Sequence, residues 1–154
     1  KIIGFDTFSG FKSLHDKDAS EARLKSGDYG VTRNYEQYLE KLLSHHEQEA
    51  PISHIKKFEL VKGDAPEQLE QYLKEHPETI ISLAYFDMDM YEPTKKCLEL
   101  IRDRLTKGSI IGFDELVSTV FPGETTALAE AFGLGKYRIR RDTKNSLPSY
   151  LVIE

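Results

Sequence analysis

The sequence predicts an α/β domain built on an open, twisted, mostly parallel sheet with helices on both faces. Three observations lead there. Short β-rich segments alternate with stretches of helical period, four of those segments close on acidic residues, and the chain finishes with two strand-like runs read as an antiparallel hairpin. In sheets of this kind ligands sit beyond the carboxyl ends of the strands. Asp6, Asp64, Asp87 with Asp89, and Asp114 with Glu115 all fall at such ends.

Lys1 to Phe5 reads as a buried strand running into the polar loop Asp6-Thr7-Phe8-Ser9-Gly10. Residues 12 to 33 follow neither the helical nor the strand period, which predicts a long surface excursion of lid type, with plain disorder as the alternative. Tyr35, Tyr38, Leu39, Leu42 and Leu43 are spaced as the apolar stripe of a helix over 34–48, with Asn34 and Gln37 placed as a capping box, and this helix is expected to pack over the sheet. Together these segments form a lid-like insertion at about 12–50.

Phe58 to Val61 is a second strand. Asp64 is placed to cap the helix that follows it, Pro66 suits that helix's first turn, and Leu69, Tyr72 and Leu73 supply its buried stripe. Ile80 to Phe86 is almost wholly apolar, as expected of a central strand covered on both faces. Thr94, Cys97, Leu98, Ile101 and Leu105 make the next helical stripe, with Lys107-Gly108 as its stop before a strand from Ser109 to Phe113. A helix over Gly123 to Phe132 precedes the hairpin of Tyr137 to Arg141 and Tyr150 to Ile153, whose loop runs from Thr143 to Pro148.

Composition narrows the function. A chain of 154 residues, 39% hydrophobic and 31% charged, is ordinary for one globular domain. A net charge of -5 with the 21 basic residues scattered argues against nucleic acid and against a basic membrane-docking face, and favours small-molecule chemistry. The one cysteine, Cys97, excludes an intramolecular disulfide and suits a reducing compartment. The longest apolar run falls well short of the roughly 20 residues of a membrane helix, and no signal-peptide pattern opens the chain. A soluble, cytoplasmic protein is the expectation. Because Lys1 already opens a strand with no initiator methionine, further sequence upstream is also expected.

Asp87 and Asp89, two residues apart, project to one side if the strand continues, while a break at Met88 would splay them over the crevice. Neighbouring strands lie about 4.8 Å apart, so acidic residues ending the strands at 80–87 and 109–114 are within reach of one ion if those strands are adjacent. Three or more carboxylates in one crevice repel unless a cation or protons compensate them, and oxygen-only ligands favour magnesium, calcium or manganese over zinc. Helix capping is the plainer account of any single strand-end aspartate; it accounts poorly for the whole set. The five histidines, His15, His45, His46, His54 and His76, read as surface residues, Cys97 as a small apolar packing residue, and Tyr35 and Tyr38 as helix packing.

Four motifs then carry a resemblance: Gly4-Phe5-Asp6-Thr7-Phe8-Ser9-Gly10; Lys62-Gly63-Asp64-Ala65; Phe86-Asp87-Met88-Asp89-Met90-Tyr91-Glu92-Pro93-Thr94; and Phe113-Asp114-Glu115 with Pro122-Gly123-Glu124-Thr125-Thr126-Ala127. In order and spacing they resemble the macrocin O-methyltransferase family, S-adenosylmethionine-dependent enzymes that methylate hydroxyls on sugars and related natural products. The resemblance implies a Rossmann-like class I methyltransferase fold, here its C-terminal portion as a single domain, with the family's glycine-rich loop expected before Lys1. It implies that Asp6 binds the cofactor ribose, that Asp64 with Ala65 faces the adenine, and that Ser9, Gly63 and Asp87 also contact cofactor. It further implies that Asp87, Asp114 and Glu115 hold magnesium and that Asp89 is the general base beside the acceptor hydroxyl. The implied partner is a small hydroxyl acceptor, a sugar or glycosylated natural product, and the Tyr- and Leu-rich helix is a candidate contact between copies of the chain. Two other readings remain open at this point: a magnesium-dependent phosphohydrolase, since an Asp-x-Asp strand end also occurs there, and a non-catalytic binding module derived from the fold.

Overall fold

Strands and helices alternate along the computed structural model, which describes residues 1–18, 24–141, 144 and 148–154. The order is β1 (Ile2–Asp6), α1 (Tyr35–Glu49), β2 (Phe58–Lys62), α2 (Ala65–Glu75), β3 (Ile81–Phe86), α3 (Tyr91–Ile101), β4 (Leu105–Phe113), α4 (Gly123–Ala131), β5 (Arg140–Arg141) and β6 (Ser149–Val152). Parts of two expected segments, residues 19–23 of the excursion and 142, 143 and 145–147 of the hairpin loop, lie outside the described residues.

The strands form two sheets. β1 pairs in parallel with β2, Ile2 opposite Phe58 through Asp6 opposite Lys62. The second sheet has the order β3-β4-β6-β5, with β3 parallel to β4 and the C-terminal hairpin antiparallel. The expected α/β architecture with parallel strands and a closing hairpin is thus present. α2 packs on both β1 and α3 and so links the two sheets; the ring of Phe5 meets that of Tyr72 edge-on at 6.0 Å.

The core lies where α3 and α4 cover one face of the four-stranded sheet. Leu98, Ile111, Phe113, Leu128 and Leu151 are essentially inaccessible, and the rings of Phe86 and Phe113 stack at 5.4 Å. Cys97 is buried among them, as expected, and burial pushes its thiol up to about 12. Among the described residues no helix is long and apolar enough to cross a membrane.

Several expectations are corrected. The apolar run of β3 does not mark a central strand covered on both faces. It is the edge of its sheet, and Leu83 and Tyr85 are 61% and 55% exposed. Its alternate residues face outward, and no described helix covers that side, so the outer apolar side chains are met only by neighbours such as Gly112, which lies under the Tyr85 ring.

Lys107-Gly108 is not a helix stop. α3 ends at Ile101, a single 3-10 turn follows over Arg102–Arg104, and β4 already begins at Leu105. A bulge makes room for this early start: Ile81 pairs with Leu105 while Leu83 pairs with Ile110. Gly108 adopts φ 89 there, and the Ser109 hydroxyl, accepting from Thr106 N at 2.9 Å and donating to Ile81 O at 2.7 Å, braces the bulge.

α1 forms, but none of its residues is buried, and it packs on the β1–β2 pair through β2. Its capping box is absent, because Asn34 takes a left-handed backbone (φ 62) instead of the extended N-cap conformation that presents a side-chain oxygen to the helix. Asp64 does sit at the N-cap of α2 with Pro66 in the first turn, yet its side chain makes no capping bond. The excursion after β1 closes on itself, Phe11 N donating to Asp28 O at 3.0 Å and Gly27 N to Phe11 O at 2.8 Å, and is pinned to the body of the protein by buried Asp18, which accepts from Tyr91 N.

The packing carries a paired prediction. Leu98→Ala should lower the unfolding free energy by about 2–5 kcal/mol in urea denaturation, whereas Leu83→Ala, on the open face of β3, should change it by no more than about 0.5 kcal/mol.

Candidate functional site

The carboxyl ends of β1, β2 and β3 meet across the junction of the two sheets. Between them lies a cleft of about 440 Å³ whose wall includes Phe5, Asp6, Thr7, Lys12, Tyr29, Asp64, Ala65, Pro66, Asp87, Met88, Asp89 and Met90. Of the residues singled out from sequence, Asp6, Asp64, Ala65, Asp87 and Asp89 share this wall. Ser9, Gly63, Asp114 and Glu115 do not line it. Gly63 instead closes the β1 and β2 ends, its amide donating to Asp6 O at 2.9 Å from a backbone with φ 146. Ser9 is exposed, its amide donating to Thr7 Oγ1 at 3.1 Å.

The segment from Asp87 to Met90 is a tight turn between β3 and α3. Met90 N donates to Met88 O at 2.5 Å, and Asp89 between them is left-handed, with φ 59. This conformation is uncommon, and aspartate tolerates it better than most residues. The turn is held from beneath by Glu124 in the first turn of α4, which is completely buried. Its Oε1 accepts from Met88 N at 3.2 Å and Asp89 N at 3.4 Å, and its Oε2 accepts from Glu115 N at 3.3 Å. Thus one carboxylate ties the end of β3 to the residues after β4; Asp114 N, donating to Phe86 O at 3.0 Å, makes a second tie.

From the other side, buried Asp18 accepts from Tyr91 N at 2.6 Å and from His15 N at 2.9 Å. Tyr91 is the first residue of α3, so a carboxylate from the excursion after β1 caps this helix. Only a glycine at 123 permits the approach, since a Cβ there would lie 2.5 Å from Tyr91 N and 2.8 Å from Asp89 O and would also meet the Asp18 carboxylate.

Burial and neighbouring charges raise several carboxyls here. Burial, then the charges of Glu115, Asp87 and Asp114, push Asp89 up to about 6. Burial, then Asp114 and Asp6, also raise Asp87. Burial lifts Glu124 to about 7 against the lowering effect of its three amide donors. Asp114 Oδ1 accepts from the Tyr85 hydroxyl at 2.7 Å, which with burial raises that phenol to about 12. Lys12, 3.6 Å from Asp64, brings a positive charge to the opposite wall.

The three residues expected to ligate a metal are in electrostatic contact with their neighbours in this group, but among the described residues no three His, Cys, Asp or Glu side chains converge as a metal-binding set. Donor chemistry suits a hard cation nonetheless: the Glu115 Oε2 is buried without any hydrogen-bond partner, and the surrounding carboxylates are all oxygen donors.

No protein-family model matches the chain, and no curated protein does. Solved structures do. CalS11, described as a calicheamicin methyltransferase, superposes with a TM-score of 0.95 at 42% identity, over 99% of this chain and 60% of that one. Its apo structure, described as a TDP-rhamnose 3'-O-methyltransferase in calicheamicin biosynthesis, gives 0.81 at 38% identity, over 99% and 57%. The O-methyltransferase NovP gives 0.60 at 14% identity over 98% and 59%, a likeness of fold alone. The chain is similar over nearly its whole length to sugar O-methyltransferases of the macrocin type. It spans about three fifths of the length of CalS11.

Within this methyltransferase-like fold, two residues that organise the site went unassigned in the sequence. Glu124 had a signal: with Ala127, Leu128 and Ala131 it occupies the i, i+3, i+4, i+7 positions of the buried face of α4, where a charge demands polar partners. Asp18 had none, because its partner Tyr91 is 73 residues away.

The shifts give a prediction with a definite sign. A carboxyl raised in the folded state stabilises below its ordinary pKa, and that contribution is lost as pH rises through the folded value. For Glu124, raised from 4.5 to about 7, unfolding free energy should therefore fall between about pH 5 and pH 8, by on the order of 3 kcal/mol. Glu124→Gln should flatten that slope in melts recorded across the same range.

Proposed function

We propose that this chain is the catalytic part of an S-adenosylmethionine-dependent O-methyltransferase that acts on a hydroxyl of a sugar or natural-product acceptor, with Asp89 as general base. The observation that carries the reading is Asp89 itself. It stands on the cleft wall, fixed in a left-handed turn by a buried carboxylate, with its own carboxyl raised to about 6. A base poised near neutrality can accept the proton of a hydroxyl at physiological pH. The likeness to CalS11, whose description names a sugar hydroxyl as its methylation site, supports the same reaction class.

The residues of the cleft have separable tasks. Asp6 suits the ribose diol, because a carboxylate can accept two hydrogen bonds; one of its oxygens already takes Phe8 N at 2.5 Å, which orients the group. Asp64 and Ala65, at the start of α2, suit the adenine, the carboxylate accepting from its exocyclic amine. S-adenosylmethionine, when bound, would supply an electrophilic methyl group. The rigid β3–α3 turn then fixes the base relative to the acceptor oxygen, and such positioning accounts for much of the rate in group transfer. Phe5, Pro66, Met88 and Met90 give the cleft an apolar part to its wall.

Asp87, Asp114 and Glu115 would hold a magnesium ion, which supplies a lowered hydroxyl pKa and a fixed acceptor oxygen when bound. Support comes from the Asp87 carboxyl, raised by burial and then by the charge of Asp114, and from the unpartnered Glu115 oxygen. Of the lid-like insertion at about 12–50, Lys12, Ser13, Tyr29 and Val31 border the cleft.

Asp89→Asn should lower kcat/KM by about 10²–10⁴-fold while leaving the dissociation constant for S-adenosylhomocysteine within twofold. Because only the ionised carboxylate accepts a proton, wild-type kcat/KM should rise with pH as Asp89 ionises and then level, with the limb moving to lower pH when a cation neutralises the neighbouring carboxylates; the Asn variant should lose that limb. Activity removed by EDTA and restored by magnesium in the wild type, but not in Asp114→Asn, is the expected sign of the metal. Full activity of the EDTA-treated enzyme would remove the metal from this account.

A further inference from the structure

The edge of the four-stranded sheet that carries these carboxylates also carries an arginine with no role in the site so far. β5 is antiparallel to β6, and β6 to β4, so β5 runs in the direction of β3 and β4 and ends at the same edge. The register is continuous across it: Phe86 opposes Phe113, Phe113 opposes Ser149, and Ser149 opposes Arg141. Asp87 and Asp114 are the next residues after the first two. At about 4.8 Å per strand, Arg141 stands roughly 10 Å from Phe113 and 14 Å from Phe86 along this row.

Its side chain reaches the segment that follows β4. A terminal guanidinium nitrogen donates to Leu116 O at 3.0 Å, on the residue after Glu115, and Nε donates to Ser149 Oγ at 3.0 Å. Both acceptors are neutral. The chain has 26 acidic residues against 21 basic, and most lysines that meet an acid are drawn into ion pairs, yet Arg141 makes none among the described residues. It remains exposed. A guanidinium immobilised by two neutral acceptors, with donors left over, has already lost the rotamer freedom that anion capture would otherwise cost.

We propose that Arg141 receives an anionic group, a phosphate or diphosphate ester, carried by the methyl acceptor at the end of the acceptor site opposite Asp89. This rests on the methyltransferase reading above. The electrostatics give the reason for such a residue. Without a bound cation, Asp87, Asp89, Asp114 and Glu115 repel an anionic acceptor, and a fixed positive charge at the same edge eases its approach. The separation of charge also orients the acceptor, hydroxyl end toward the carboxylates and anionic end toward the fork of Arg141, whose paired N–H donors match phosphate oxygens.

Calorimetric titration of inorganic pyrophosphate and of thymidine diphosphate into the wild type, Arg141→Ala, Arg141→Lys and Arg140→Ala tests the proposal, with S-adenosylhomocysteine titrated in parallel. Arg140 is also exposed and is adjacent in β5, so its side chain leaves the strand on the opposite face, and its removal costs the same charge. Both anions should bind the wild type. Arg141→Ala should weaken them at least tenfold, Arg141→Lys by less, and Arg140→Ala by under twofold, with S-adenosylhomocysteine unaffected throughout. If Arg141→Ala fails to fold, the lysine variant still separates fork from charge. Equal anion binding in wild type and Arg141 variants, or equal losses at positions 140 and 141, would overturn the assignment. Absence of S-adenosylhomocysteine binding in all four proteins would instead sink the methyltransferase reading, while the anion result stands on its own.

Discussion

A single buried carboxylate, that of Glu124, holds the working end of this fold together. It takes the backbone amides of Met88, Asp89 and Glu115 at once. Those amides belong to the turns after two adjacent strands, so their geometry relative to one another is set by one side chain on α4. Burying a carboxyl is costly unless its oxygens are satisfied; here three amides do so, and the residual cost appears as a pKa near 7. The left-handed conformation of Asp89 persists because its amide and the preceding one are fixed to the same acceptor.

Around that tie, the site is assembled from parts distant in sequence. β1 and β2 bring Asp6 and Asp64, β3 brings Asp87 and Asp89, and the excursion after β1 folds back so that Asp18 caps α3 directly behind the turn. Gly123 is the space that allows this contact. The same excursion is fastened by Lys17, which with Lys95 pairs with Glu130 around the Tyr91 ring and helps draw the Glu130 carboxyl down to about 2. Acidity therefore accumulates at the ends of β3 and β4, while Lys12 and Lys96 stand on the cleft wall and Lys17 and Lys95 secure the outside. The resulting field is what makes a protonated or cation-compensated centre, and a prepositioned arginine at its edge, physically coherent.

Much of this was legible in the sequence because strand-end acids and strand–helix alternation are local signals. The elements formed close to where periodicity placed them, and five of the nine site residues named from motifs line one cleft. Failures arose where local pattern and tertiary context parted. The apolar run of β3 cannot say whether a second layer covers it, and Leu83 and Tyr85 show that here none of the described elements does. Lys107-Gly108 has the chemistry of a helix stop, but a glycine also serves a bulge, and pairing with Ile81 and Leu83 decided for the latter. Asn34 has the residue type of a cap without the backbone conformation. Asp18 was invisible because its function depends on a contact that closes a long loop.

The central claim is that the ends of β1, β2 and β3 form one nucleoside-binding cleft beside a positioned base. A crystal structure of the protein grown with S-adenosylhomocysteine tests it most directly. The account predicts ribose hydroxyls against the Asp6 carboxylate, adenine over Ala65 beside Asp64, and the sulfur on the Asp87–Asp89 side of the cleft. A nucleoside bound elsewhere, or held in this cleft with its ribose away from Asp6, would contradict it.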